Sequence, residues 1–272
     1  MCTAVISFDI DAPIPLLLLD VRDEFADRPW QPPGEHWPGL HVTGGLDLQG
    51  GGTWLAVHPD APRAACVLNG RGRLAPAPGR RSRGELPVRA ASDGIGAVRV
   101  LLDDPVVRTS YDPFHLVCAH PGSVTLLSWD SAILASRDME PGTHMVMNDG
   151  LLYSSSGRHP LAIPAKAAYF GPRFAASRPS GDPDTTIKQA WGAWLGLAAS
   201  ADLPVGDPRA LIVGRELDDG RLWGTTSMSL VALARDSVRY DFQRVCPTST
   251  QPILSSWNTV LTAHQQESSA VR

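Results

Sequence analysis

The run Pro15-Leu16-Leu17-Leu18-Leu19-Asp20-Val21 constrains this chain most. It is far too short to cross a membrane, which takes roughly 20 apolar residues. A strand that is apolar on consecutive residues is buried on both faces. Its sheet must therefore be covered from each side. The segment before it, Cys2 to Phe8, is rich in β-formers and reads as a strand beginning almost at the terminus. Asp9 to Pro13 reads as a turn. Antiparallel pairing through that turn brings the far end of the second strand, Val21-Arg22-Asp23-Glu24, back beside Cys2.

Further along, residues 26–52 read as irregular, with Pro29, Pro32, Pro33 and Pro38 followed by a glycine-rich stretch. Thr53 to His58 and Arg63 to Leu68 read as a hairpin. Residues 71–83 are rich in Arg, Gly and Pro and read as a mobile surface loop, followed by a short helix over Gly84 to Ser92. Phe114 to Ala119 and Ser123 to Trp129 are expected strands around the turn Pro121-Gly122. Thr143 to Met147 is another, ending at Asn148-Asp149-Gly150. Helices are expected over Ile163 to Ala176 and Thr185 to Ala199, the second capped from Asp182-Pro183-Asp184. Ile187, Trp191, Trp194 and Leu195 give that helix a core-facing stripe. Arg209 to Val213, Leu222 to Leu233 and Val238 to Phe242 return to strand. Strand-rich blocks flanking a helical middle fit an α+β layered fold better than a βαβ repeat. One domain is expected over 1–262, with a polar, frayed tail over 263–272.

Composition excludes several functions. The 24 basic and 28 acidic residues leave no basic surplus for nucleic acid or an anionic membrane surface. The N-terminus lacks a basic segment, and Asp9 and Asp11 interrupt its apolar stretch. It is no secretory signal, and a cytoplasmic protein without integral membrane association is expected. Cys2, Cys66, Cys118 and Cys246 form no CxxC pair, which argues against zinc and redox sites of the usual spacing. Cys66 and Cys118 sit in apolar runs as buried hydrophobes, and Cys246 falls in an expected loop. Gly44 to Thr53 lacks the Lys-Ser/Thr ending of a phosphate loop. The histidines are scattered, with only His115 and His120 facing each other across a turn.

Cys2 is the candidate nucleophile. So small a second residue permits removal of Met1. The product carries a thiol and an α-amine on one residue, with ordinary pKa values of about 8.5 and about 7.7–8.0. An amine of that strength can take its own residue's thiol proton, the logic of N-terminal threonine enzymes. Arg22 beside the sulfur would favour thiolate. Asp23, or Glu24, would orient the amine. Charge runs at strand ends are ordinarily solvated; the pairing with Cys2 sets this one apart.

Met1-Cys2-Thr3, Val21-Arg22-Asp23-Glu24-Phe25 with Arg28-Pro29, Gly50-Gly51-Gly52-Thr53-Trp54-Leu55, Leu68-Asn69, Ser82-Arg83-Gly84-Glu85-Leu86, Met147-Asn148 and Gly224-Thr225-Thr226-Ser227 follow one another in a recognisable order. With these segments the chain resembles the NRDE family, also called the transport and Golgi organisation protein 2 family. Val21 stands where that family's eponymous Asn does. The family in turn looks like a branch of the N-terminal nucleophile hydrolases, near the choloylglycine and penicillin V acylases. That resemblance implies a four-layer αββα sandwich of two antiparallel sheets. It implies Cys2 as nucleophile with its amine as base, Arg22 beside it, and Asp23 on the amine. It also implies that Asn69 and Asn148 assist the amine and the oxyanion. Both asparagines equally suit the turns in which they lie. Arg173 and Lys166 are the nearest counterparts of a late site arginine, neither in a convincing motif.

Three functions are consistent with these residues. The first is hydrolysis of a C–N (amide) bond by Cys2, with no cofactor required and an apolar pocket expected from the tryptophan-rich segment Trp30 to Trp54. The second, which the family resemblance implies, is a non-catalytic carrier of an apolar ligand, lipid or haem, with Cys2 or a histidine such as His41 as axial ligand for haem. The third is a trafficking role that needs no pocket.

Overall fold

The computed structural model describes residues 2–157, 163–200 and 202–264. β1 (Thr3–Phe8) and β2 (Leu16–Phe25) pair antiparallel from Thr3↔Val21 to Phe8↔Leu16. The Asp9 N–H closes their turn on the Pro15 carbonyl at 2.9 Å. β2 runs past its apolar core to Phe25 because a late strand, Leu222–Leu233, pairs with it along its whole length.

The segment expected to be irregular instead holds β3 (Trp30–Gly34) and β4 (Thr43–Asp47). Pro32 and Pro33 lie on β3, the edge strand of its sheet, where a missing N–H costs no ladder bond. β5 (Leu55–His58) and β6 (Arg63–Asn69) form the expected hairpin. α1 (Glu85–Asp93) follows, then α2 (Ile95–Asp103) and α3 (Pro105–Arg108), which sequence reasoning did not reach. β7 (Phe114–His120) and β8 (Ser123–Trp129) flank the Pro121-Gly122 turn, and β9 (Leu134–Asp138) completes the second sheet. β10 (Gly142–Met147) and β11 (Gly150–Ser154) turn at Asn148-Asp149.

α4 (Ala165–Ala175) agrees with its expected span. The second expected helix is broken into α5 (Ile187–Trp191) and α6 (Ala193–Ala199) at Gly192, whose φ of 47° interrupts the helix. Its cap is Thr186, not the Asp182–Asp184 cluster. The Thr186 hydroxyl takes the Gln189 N–H and the Gln189 side chain takes the Thr186 N–H, a capping box. Arg209 to Val213 is not a strand. Ala210, Leu211 and Ile212 are buried consecutively, and the strand begins only at β12 (Gly214–Glu216). β13 (Leu222–Leu233) and β14 (Ser237–Cys246) pair next, with Cys246 ending a strand and not lying in a loop. β15 (Ile253–Leu254) and β16 (Asn258–His264) both add to β14. β16 carries ordered chain to His264, two residues beyond the expected start of the tail; residues 265–272 lie outside those described.

Among the described residues the strands form two antiparallel sheets. One runs β11-β10-β1-β2-β13-β14, and the other β3-β4-β5-β6-β7-β8-β9. Alternation along β2 splits its leucines. Leu16 and Leu18 meet Trp54, Val57 and Val117 between the sheets, whereas Leu17 and Leu19 meet Phe170, Trp191 and Trp194 under α4–α6. Leu86, Ala90, Val98 and Leu102 of α1 and α2 cover the outer face of the second sheet. The fold is thus α+β, in the αββα order expected, and the consecutive apolarity of β2 is explained. A buried polar anchor ties the helix layer down: Asp241 accepts from Trp191 Nε1 at 2.6 Å, Thr259 Oγ1 at 2.6 Å and Arg239 Nε at 2.5 Å. No helix among the described residues is long and apolar enough to cross a membrane.

Candidate functional site

Where β1 begins, the Cys2 sulfur caps the end of the β1–β2 ladder. It donates to the Asp23 carbonyl at 3.5 Å and accepts from the Asp23 N–H at 3.4 Å. The pleat turns Arg22 and Glu24 toward the other sheet, on the side of the core against which Cys2 packs. Arg22 is buried. Its Nη1 donates to Thr226 Oγ1 at 2.9 Å, its guanidinium lies 4.4 Å over the Trp54 ring, and Glu24 stands 3.7 Å away. Asp23 falls on the other side of the pleat, where Thr225 Oγ1 donates to its Oδ1 at 2.7 Å.

These groups share a cleft of about 410 Å³, with Cys2, Arg22, Asp23, Trp54, Asn69 and Arg83 in its wall. Charge dominates the wall. Trp30 and Trp54 do not make the apolar pocket expected of them; they pack edge to face at 5.6 Å at the rim of the inter-sheet core. Arg28 binds Asp47 through Nε and Nη2 at 2.9 and 2.7 Å. Burial works against the Asp47 carboxylate, but hydrogen bonds from Arg28, Gly50 and Gln49 outweigh it and hold Asp47 below the usual carboxylate range.

Burial pushes the Cys2 thiol up to about 11, the Asp23 carboxylate adds to the rise, and the Asp23 N–H opposes it. In the chain with Met1 attached, Arg22 does not decide the state of the thiol. Arg22 spends its guanidinium on Thr226 and Trp54, and desolvation of the sulfur decides the direction.

Asn69 ends β6 exposed in the cleft wall. Asn148 directly follows Met147, whose partner in the sheet is Thr3. It lies outside the cleft wall, with a buried side-chain Oδ1 that has no hydrogen-bond partner among the described residues. The two asparagine turns are neighbours across the sandwich. Arg71, just after Asn69, pairs with Asp149, and the His115 ring bonds the Asn148 carbonyl at 3.3 Å. Lys166 is buried at the start of α4. Burial lowers its pKa, while Asp23 and Cys2 pull it back up. Arg173 stays away: it stacks on Tyr169 at 3.7 Å and bonds that residue's carbonyl.

Three features were missed from sequence. Gly224 to Ser227 lies within a strand and shows no catalytic pattern in sequence, yet Thr225 and Thr226 hold Asp23 and Arg22. The loop over 71–83, read as mobile, delivers Arg83 to the cleft. Asp20, the one polar residue in the leucine run, is buried behind Cys2 and Arg22. Thr225 Oγ1 also accepts the Val213 N–H at 3.0 Å, so Thr225→Val removes a hydrogen bond from the Asp23 carboxylate and another from the Val213 N–H. We expect it to destabilise the fold by about 1–3 kcal/mol and Thr225→Ser to restore it, read by thermal melts.

A family profile described as Transport and Golgi organisation 2 matches residues 1–163. The chain belongs to that family. The match covers Cys2, Arg22, Asp23, Asn69, Arg83 and Asn148. The threonines that support Arg22 and Asp23 lie beyond the matched residues and reach the site through the pairing of β13 with β2. No curated protein matches the chain.

Proposed function

We propose that this protein is an amidohydrolase of the N-terminal nucleophile type, with Cys2 as nucleophile after Met1 is removed. The observation that carries this reading is the sulfur seated against the Asp23 backbone at the wall of a charged cleft, with Arg22 and Asp23 each fixed by a threonine.

A thiol pushed up to about 11 is protonated at neutral pH and needs a base at the moment of attack. The α-amine of Cys2 takes the proton as sulfur bonds to the amide carbon and the carbonyl electron pair moves onto oxygen. Asn69, in the cleft wall, donates to that oxyanion. The C–N bond then breaks, the ammonium returns its proton to the leaving amine, and a Cys2 thioester remains. Water, losing its proton to the same amine, adds to the thioester; collapse releases the acid, and the sulfur regains its proton. Asp23 keeps the ammonium in place, and Arg22 offsets negative charge as it develops. Asn69→Ala should lower kcat about 10²-fold with an unchanged melt, since the side chain is exposed.

The charged cleft favours this reading over the carrier. A haem or lipid carrier wants an apolar slot, and haem also wants an axial ligand. His41 lies on the exposed surface outside the cleft wall, and the buried Cys2 thiol resists ionisation. The reading is tested by screening the Met1-free protein against amide libraries, with Cys2→Ala as control. Turnover that persists in Cys2→Ala contradicts it.

A further inference from the structure

The cleft's arginines are not equivalent. Arg28 is closed by Asp47, and Arg81 by two bonds of 2.7 Å to Glu85. Arg80 faces Asp112 at 3.4 Å and spends its donors on the Ala75 carbonyl. Arg22 has Glu24 and the Trp54 ring. Arg83 differs from all four. Its Nη1 donates to the Pro113 carbonyl at 2.9 Å, and among the described residues it makes no ion pair. A half-buried guanidinium that makes no direct ion pair leaves charged donors unmatched, and such groups are normally paired. Burial indeed lowers the Arg83 pKa, with Asp112 and Cys2 opposing the fall.

The fold takes care to hold Arg83 there. The Gly84 carbonyl accepts the Thr53 N–H at 2.9 Å, which locks the Ser82–Gly84 turn onto the glycine loop before β5. A Cβ on Gly52 would sit 2.4 Å from the Gly84 oxygen, so only glycine permits the approach.

We propose that the molecule cleaved by Cys2 carries a single carboxylate and that Arg83 binds it; this rests on the hydrolase reading above. With Nη1 committed to Pro113, the rest of the guanidinium offers the paired donors that match a carboxylate. The free donors of one guanidinium suit one carboxylate. A phosphate dianion would meet Glu24, Asp23, Asp47 and Asp112 in the same wall. Arg83 is a binding and specificity residue, and the bond cleaved lies within one small molecule's length of the carboxylate.

The test uses the full chain carrying Cys2→Ala, so that binding is read without turnover. N-acetyl-L-phenylalanine carries its carboxylate on the amine side of the amide, and succinanilic acid on the acyl side. Each is titrated by calorimetry against its own methyl ester. At least one acid should bind about ten- to a hundredfold more tightly than its ester. Adding Arg83→Gln should erase the difference, and Arg83→Lys should recover part of it, with thermal melts showing that each variant is folded. Equal affinities for acid and ester, no binding of either acid at millimolar concentration, or a preference that survives Arg83→Gln would overturn the proposal. So would phenyl phosphate binding more tightly than both acids. A carboxylate preference without any Cys2-dependent cleavage in the unsubstituted protein would retire the hydrolase reading and leave Arg83 as the anchor of a bound acid.

Discussion

Cys2→Ala should lower amide hydrolysis by at least about 10³-fold and leave the melting temperature within a few degrees of the parent. Removing the attacking atom of a covalent hydrolase eliminates the thioester path, and what survives is the rate that binding and oxyanion donors give to water. The fold loses little. Cys2 is half-buried at a strand end, its sulfur makes only two long bonds to the Asp23 backbone, and alanine keeps the β1–β2 ladder. Cys2→Ser should keep a trace of activity, because a hydroxyl in the same place is a poorer nucleophile than the thiol yet still reaches the amine. A chain extended at its N-terminus by a Met-Gln dipeptide should behave like Cys2→Ala in turnover while retaining the thiol. Its amine has moved away, and the carboxylates of the wall are engaged: Asp23 with Thr225, Glu24 with Arg22 and the Phe25 N–H, Asp47 with Arg28 and Asp112 with Arg80. Progress curves on any substrate found by screening give all three rates.

Asp20→Asn should stabilise the protein at pH 8 and leave it no more stable than the parent at pH 4. Asp20 is buried between the sheets, its Oδ2 without a hydrogen-bond partner among the described residues, near Arg22, Cys2, Cys66 and Tyr240. Burial pushes its carboxyl up to about 8; Arg22 opposes the rise and Asp23 adds to it. In the unfolded chain the same group titrates at about 3.9. Below about pH 4 both states are protonated and the group contributes nothing. Between about 4 and about 8 the folded state keeps a proton that the unfolded state has lost, so stability falls as pH rises, at up to about 1.4 kcal/mol per unit, and levels off above. Asparagine has the shape without the titration. After allowing for its own amide, which needs a partner in the same place, the expected gain at pH 8 is roughly 2–5 kcal/mol. Denaturant titrations at pH 4, 6 and 8 check it. Parent and variant curves that stay parallel across this range would show that Asp20 titrates normally.

The features legible in the sequence were those held by neighbours in the chain. The pairing of β1 with β2 followed from two strands and a turn within 25 residues, and it carried Arg22 and Asp23 to Cys2. The double-sided cover on β2 followed from four consecutive leucines. What stayed hidden came from distant pairing or from burial. Thr225 bonds Asp23 across 202 residues, and no local pattern announces which strand will lie beside β2. Arg83 sits in a stretch whose Arg, Gly and Pro content describes a mobile loop as well as one pinned by close backbone approach. The upward push on the Cys2 thiol was not legible, because a nearby Arg22 is visible in the sequence and the loss of solvent around the sulfur is not. Trp30 and Trp54 suggested an apolar pocket, but their rings turn inward, and Arg22 covers Trp54.

The most direct test of the central claim is intact-protein mass spectrometry after mixing with p-nitrophenyl acetate at neutral pH. It is run on the processed chain and on the Met-Gln extended chain, each with the exposed Cys246 replaced by serine. The account predicts that the purified protein lacks Met1, that a single acetyl group forms on Cys2 and then turns over, and that the extended chain acylates at least about tenfold more slowly. Retained Met1, or equal acylation of Cys2 in both chains, would contradict a nucleophile activated by its own amine.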